Sequence, residues 1–316
     1  MQFTTKIPIQ KFQNPITYES KIMALGSCFA ENMSKKFEYF KFQNSVNPFG
    51  IIFNPVSIEK LVNRIVNQIK FTEKDIFFHN DLWHCYEVHS ELSNPNKEEF
   101  LKELNQIIEK SNNQIIDSTH LIITYGTSWV YRNIESKEIV ANCHKVPQKQ
   151  FTKEILSIET IEKSIENTIA LIQKVNPNCN FIFTVSPVRH IKDGFVENQR
   201  SKAHLISAIH STDNSQLTTR NYFPSYEIMM DELRDYRFYA EDMLHPNQVA
   251  IDYIWERFSE NYISAESQKV MQEVDSIQKS VLHRPFNSNS ESYQKFLSNL
   301  NKKINTLTSN YPQIEF

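Results

Sequence analysis

The sequence predicts an α/β protein built on a mostly parallel, doubly wound sheet. Short apolar runs at 22–25, 120–125 and 181–185 alternate with segments whose apolar residues recur three or four apart. Each of those runs stops at a turn signal: Gly26, Gly126 and the Ser186-Pro187 pair. Strands alternating with helices fold into such sheets, which bind ligands beyond the carboxyl ends of their strands. Cys28, Gly126, Ser186-Pro187 and residues 242–245 are therefore expected on one rim. Glycine usage agrees. The chain has four, Gly26, Gly50, Gly126 and Gly194, where ordinary usage of about 7% would give roughly 22. A bias toward Asn, Lys and Ile explains the scarcity but not why three of the four follow apolar segments.

In order, residues 1–20 read as a leading arm, 22–25 as the first strand and 29–40 as the first helix, with Ala30, Met33, Phe37 and Phe40 on one face. Residues 42–46 form a second strand, and Asn47-Pro48-Phe49-Gly50 a turn. Asn54-Pro55 opens a helix, with Ile58, Leu61, Ile65 and Ile69 in register. Residues 75–90 read as a hairpin about His79-Asn80-Asp81, and Ser93-Asn94-Pro95 begins a helix to about 112. The buried strand 120–125 leads to a second hairpin at 128–143, then a helix over 152–175 that stops at Asn176-Pro177. After strand 181–185 come a polar loop with Arg189, His190, Asp193, Gly194, Asn198 and Arg200, a helix over 201–217, and a short strand over 222–229. Pro246 suits the first position of the helix that follows His245. From 264 the chain turns polar and helical, with a break at 284–287, so the expected division is a domain over 1–263 and a helical C-terminal appendage over 264–316.

Composition narrows the function. Apolar residues make up 40% and charged residues 22%, as in globular proteins. The net charge of -3 gives no electrostatic case for nucleic acid or an anionic membrane. No run of about 18 apolar residues predicts a spanning helix, and the first residues lack the pattern of a signal peptide. The four cysteines show no CxxC and no framework spacing, which reads as reduced thiols in a cytoplasmic protein. Histidines 79, 84, 89 and 144 scatter over the hairpins, so neither metal nor cofactor is expected.

Residues 22–30 carry the chemistry. An apolar run enters Gly26, and two nucleophile-capable side chains, Ser27 and Cys28, follow at the mouth of a helix. The positive end of a helix dipole favours a thiolate or an oxyanion there. A nucleophile needs a base and the base needs an orienting group. Three Asp-x-x-His spacings exist: Asp81/His84, Asp117/His120 and Asp242/His245. The first lies in a hairpin strand, where positions three apart face opposite ways, and the second enters a strand from the wrong end. Only Asp242/His245 joins a loop to a helix start at the rim, so His245 is the expected base and Asp242 its orienting group. Arg189 and His190 are expected either to line the substrate site or bind an anionic group, or only to order their loop.

Leu25-Gly26-Ser27-Cys28-Phe29-Ala30 resembles the namesake motif of the GSCFA family, as do the segments 47–50, 185–190, 222–227 and 242–246 the family's further segments. That family is similar to SGNH (GDSL-type) hydrolases, which have a flavodoxin-like fold and act on esters, often on acetylated carbohydrates. The resemblance implies that Cys28 takes the nucleophile position and Ser27 the aspartate position of the first block, and that Asp242 and His245 match the Asp-x-x-His block. It implies that Gly50, beside Asn47, supplies an oxyanion N–H. In the third block, Gly126-Thr127-Ser128-Trp129 stands where an asparagine is usual, so Ser128, Thr127 or His190 must substitute for that donor. A cysteine nucleophile at a helix start is expected to ionise readily and to form a thioester. The activity so implied is ester hydrolysis or acyl transfer on a small-molecule ester or acylated carbohydrate. The rival reading is a non-catalytic binding module on the same fold.

Overall fold

The structure, a computed structural model, describes residues 4–211 and 220–316. Its centre is a five-stranded, wholly parallel sheet of β1 (Lys21–Gly26), β2 (Gln43–Val46), β5 (His120–Tyr125), β9 (Asn180–Val185) and β10 (Arg220–Phe223), in the spatial order β10-β9-β5-β1-β2. Because the strands are parallel, all five carboxyl ends meet one rim. The order reverses between β1 and β5, which makes the gap beyond Gly26 and Tyr125 the natural crevice.

Period-2 alternation divides the core between two faces. Met23 and Leu25 of β1, Leu121 and Ile123 of β5, and Phe181 and Phe183 of β9 pack beneath α2 (Pro55–Val66), α3 (Lys97–Asp117), α4 (Ile158–Val175) and α5 (Phe195–Ser211). Ile22, Ala24, Ile122 and Ile182 face α1 (Cys28–Tyr39), α7 (Gln248–Tyr262), α8 (Ala265–Val281) and α9 (Glu291–Asn310). Side chains set the helix starts: Ser27, Asn54, Asn96, Ser157 and Asn247 each accept a backbone N–H of the first turn.

Both hairpins form. β3 (Phe77–His79) pairs with β4 (Leu82–His84) across Asn80 and Asp81, whose φ angles of 46° and 61° suit a two-residue turn. The second insertion is larger than the sequence suggests. β6 (Trp129–Asn133) pairs with β7 (Ile139–Val140) and also with β8 (Phe151–Ile155). The helix expected from 152 therefore starts at Ile158, behind its Ser157 cap. Residues 151–155 become a strand because β6 supplies a ladder partner that no local pattern reveals.

Three further boundaries move. α5 begins at Phe195, so Asn198 and Arg200 sit on a helix rather than in a loop; the end of the expected 201–217 helix lies outside the described residues. The strand expected over 222–229 ends at Phe223, because Pro224 has no N–H to extend it. The chain turns there into a short helix, α6 (Ser225–Glu227), and a π-helical turn (Ile228–Glu232). Pro246 precedes the Asn247 cap instead of occupying the first helical turn.

Residues 264–316 are helical with a break, as expected, but they belong to the core rather than hanging from it. Val274, Ile277, Leu307 and Ile314 are each at most 2% exposed and share one buried cluster with Phe37 and Trp255. Tyr39 Oη donates to Asp275 at 2.9 Å, and Gln313 Nε2 donates to the Tyr18 carbonyl at 3.0 Å. Among the described residues no helix is long and apolar enough to cross a membrane.

Candidate functional site

The rim begins where β1 stops. Gly26 has φ +134°, and a Cβ there would lie 2.1 Å from the Thr124 carbonyl oxygen, so only glycine lets β1 and β5 run this close. Ser27 N–H donates to that same carbonyl at 3.0 Å. The buried Ser27 hydroxyl accepts the Phe29 N–H at 3.3 Å and caps α1. Cys28 is half-buried and is the first residue of the helix. Of the two adjacent candidates, Ser27 is buried as the helix cap and Cys28 is the more exposed.

The Cys28 thiol is not readily ionised. Burial pushes its pKa up, and the Glu31 carboxylate adds to the rise. Lys202 and the N–H groups of Cys28 and Phe29 pull it down but do not win. The helix mouth does favour the thiolate, as expected, but desolvation of the sulfur outweighs it and reverses the net effect. A proton acceptor is needed before this sulfur can attack.

The oxyanion donors expected around it have other work. Asn47 Oδ1 accepts the Gly26 N–H at 2.8 Å, and the Gly50 N–H closes the turn onto the Asn47 carbonyl at 2.8 Å. Fully buried Ser128 donates its hydroxyl to Ser201, and its N–H donates to Ser201 Oγ at 2.8 Å. Thr127 Oγ1 is 2.7 Å from that same oxygen. Thr127 and Ser128 thus dock α5 against the end of β5. Gly126 passes close beneath Phe53 and His190: a Cβ there would lie 2.8 Å from Phe53 Cβ and 3.4 Å from His190 Nε2.

Docking α5 in this way buries Lys202, which no sequence motif singled out. Its side chain is 1% exposed, and its Nζ donates to the carbonyls of Gly126 at 2.7 Å and Ser186 at 2.8 Å. Burial drives the amine down to about 7, against a smaller upward pull from Cys28. A signal was present: Asn198, Ser201, Lys202, Leu205 and Ala208 form the buried stripe of α5, so a lysine stands at an inward helical position.

Asp242 and His245 form the pair expected of them. Asp242 Oδ2 lies 2.5 Å from His245 Nδ1, and Oδ1 accepts the N–H groups of Leu244 and His245 at 2.9 and 3.0 Å. These hydrogen bonds hold the Asp242 carboxyl down to about 2. With Nδ1 engaged, Nε2 is the ring nitrogen left for other chemistry. The other two spacings make no such pair. Asp117 binds Lys21, while His120 and His84 bond carbonyls and hydroxyls.

Arg189 fastens the segment that carries the pair. Its guanidinium donates to the Met243 carbonyl at 2.5 Å and lies 4.0 Å from the Tyr239 ring centre, while its N–H donates to the Leu244 carbonyl at 3.2 Å. His190 N–H donates to Asn198 Oδ1 at 2.8 Å, and its buried Nε2 has no partner. Burial, with Lys202 and His245 nearby, pushes that imidazole down to about 3, so it is neutral at physiological pH.

Elsewhere, Tyr125 is fully buried beneath the rim, and Trp129 Nε1 donates to the Glu197 carbonyl at 3.2 Å. Among the described residues no group of three or more His, Cys, Asp or Glu side chains could hold a metal ion. All four cysteines are free thiols.

The family model described as the GSCFA family matches residues 21–258, and that of the GSCFA domain protein, C-terminal domain, matches residues 274–316. No curated protein matches the chain.

Proposed function

The chain belongs to the GSCFA family, and from that premise we propose that it is an acyl- or acetyl-ester hydrolase, or a related acyltransferase, acting through Cys28. The observation that carries the reading is the pairing of His245 with Asp242 at 2.5 Å on the rim where half-buried Cys28 opens α1. The strand order β2-β1-β5-β9-β10 supports a flavodoxin-like sheet similar to that of SGNH hydrolases, with the crevice at its switch point.

Cys28 Sγ attacks the acyl carbonyl, the ester C–O bond breaks, the alcohol leaves with the thiol's proton relayed by His245 Nε2, and a thioester remains; the acyl group then passes to water or to a hydroxyl, whose proton returns to the sulfur. His245, oriented by Asp242, moves the acceptor's proton through Nε2. Since the Gly50 N–H, the Ser128 hydroxyl and the Phe29 N–H are committed elsewhere, the Cys28 N–H and the positive end of α1 hold the oxyanion. His190 Nε2, unpartnered beside Gly126, contacts the substrate. An acetylated carbohydrate or another small ester suits a polar rim of this kind, and free thiols suit a reducing cytoplasm.

The test is acylation by a thiol-directed acyl probe and turnover of p-nitrophenyl acetate. Cys28→Ala abolishes both and His245→Ala slows both, while Ser27→Ala keeps them. Labelling and turnover unchanged in all three variants would sink the proposal. The raised thiol pKa favours a second reading, a binding module on the same fold. That reading requires the wild type to retain acetylated sugars without ever releasing acetate.

A further inference from the structure

Among the described residues three arginines are buried, and two of them have carboxylates. Arg64 is held by Asp75 and Glu87, and Arg257 by Glu232 and Glu260. Arg189, 8% exposed, has no ion pair among the described residues. Its guanidinium donates through Nη2 to the Met243 carbonyl at 2.5 Å and lies over the Tyr239 ring, 4.0 Å from its centre, with the Tyr236 ring at 5.1 Å. Of its three side-chain nitrogens only Nη2 makes a hydrogen bond among the described residues, and Nε is buried without a partner. Arg257 also leaves Nε unbonded, but there two carboxylates meet the charge.

An arginine cannot shed its charge on burial as a lysine can. One carbonyl and two tyrosine faces offset part of the cost, but a buried guanidinium without an anion stays strongly disfavoured. Asp242, beside Met243 in the chain, does not supply that anion. Its Oδ2 lies 2.5 Å from His245 Nδ1, and its Oδ1 accepts the N–H groups of Leu244 and His245. Arg189 also stands where a substrate would bind. It follows the end of β9 at Val185, so it lies on the rim. Its Nη2 and backbone N–H bond the carbonyls of Met243 and Leu244, the two residues between Asp242 and His245. The rim holds a second buried basic group with no carboxylate partner among the described residues, Lys202, whose Nζ donates to the Gly126 and Ser186 carbonyls.

Resting on the ester-cleaving reading of this rim, we infer that Arg189 is its anion-binding residue and that the substrate is an ester bearing a carboxylate, phosphate or sulfate. An oxygen of that group accepts the guanidinium N–H groups that no protein atom engages, in the charge-assisted hydrogen bonds at which arginine excels. No bond is made or broken at Arg189. It holds the charged part of the substrate beside the His245 segment, and the bound anion supplies the counter-charge that the chain withholds. The inference accounts for a buried arginine without an acid in a protein whose other buried arginines each have two.

The test compares kcat/KM within two pairs of esters. One pair places the charge on the leaving alcohol, 4-acetoxybenzoate against methyl 4-acetoxybenzoate. The other places it on the acyl group, mono-p-nitrophenyl succinate against p-nitrophenyl butyrate. In at least one pair the ratio of anionic to neutral turnover falls about tenfold or more from wild type to Arg189→Gln, and falls less in Arg189→Lys, which keeps the charge. Loosening of the 242–245 segment lowers both members of a pair alike, so the ratio separates recognition from positioning. Ratios unchanged in both pairs would overturn the inference and leave the ester-cleaving reading intact. Should the variants not fold, or should no ester turn over, the Arg189 Nε–H NMR signal decides. It is followed in the wild type and in Cys28→Ala during titration with sodium benzoate and with inorganic phosphate, with sodium chloride as the control. A saturable shift with either of the first two, absent with chloride, sustains the anion site even where the acyl chemistry has failed; a signal indifferent to both refutes it.

Discussion

Replacing Gly26 by alanine should damage the fold at the point where the candidate site is made. The backbone there has φ +134°, a region that costs a residue with a side chain about 1–3 kcal/mol. The new Cβ would meet the Thr124 oxygen at 2.1 Å and two more Thr124 backbone atoms at 2.8 and 2.9 Å. No flexible side chain can yield, so β1 and β5 must part, at a further cost of about 1–3 kcal/mol. Parting them also weakens the Ser27 N–H to Thr124 bond of 3.0 Å, which contributes about 1 kcal/mol. The sum is at least about 3 kcal/mol, a large part of the roughly 5–15 kcal/mol that holds a domain together. Urea unfolding of wild type and Gly26→Ala, compared at equal slope, measures it. The same movement displaces Ser27 and the first turn of α1, so Cys28 alkylation should change as well. A loss below about 1 kcal/mol with unaltered Cys28 reactivity would refute the claim that this glycine is dictated by close approach.

Four other outcomes follow from the same geometry. Ser27→Ala removes a helix cap and should lower stability by about 1 kcal/mol while leaving acyl labelling at Cys28 intact; lost labelling at unchanged stability would instead make Ser27 the nucleophile. Glu31→Gln removes a carboxylate that opposes the thiolate, so alkylation of Cys28 at pH 7 should run severalfold faster, and a slower reaction would contradict the assigned sign. Asp242 has its folded-state pKa lowered to about 2. Its contribution to order in the 242–245 segment is therefore complete above the ordinary value of about 3.9 and lost as pH falls through the folded one. Amide signals of Leu244 and His245 should follow that course in the wild type and lack it in Asp242→Asn. A chain ended after residue 263 uncovers Ile22, Phe37 and their neighbours and loses the burial of Val274, Ile277, Leu300, Leu307 and Ile314. At about 1.5–3 kcal/mol for each such side chain, the loss rivals the total stability, and thermal unfolding should show an aggregating or non-cooperative protein; an unshifted cooperative transition would refute it.

How far the sequence can be read depends on the range of the interaction involved. The order of strands and helices is legible because buried strands and amphipathic helices carry their periods locally. Asn80-Asp81 and Asn54-Pro55 mark a turn and a helix start because their chemistry acts within a few residues. Residues 152–155 read as helix yet fold as strand, because their conformation is decided by pairing with β6. Residues 264–316 read as an appendage because their apolar positions are sparse, and only packing against α1 and α7 shows how few are enough.

The site divides in the same way. Gly26, Cys28, Asp242 and His245 stand out in the sequence because a strand-to-helix turn and a three-residue spacing are local constraints. The structure shows Ser27 buried as the cap of α1 and Cys28 the more exposed of the two, a difference in burial that their adjacency in the chain does not announce. Tertiary structure also reversed the expected ionisation of Cys28, because desolvation depends on everything packed around the sulfur and not on its place at a helix mouth. It placed Lys202, which Thr127 and Ser128 draw under the rim by holding Ser201, a contact across more than seventy residues that no spacing in the chain announces.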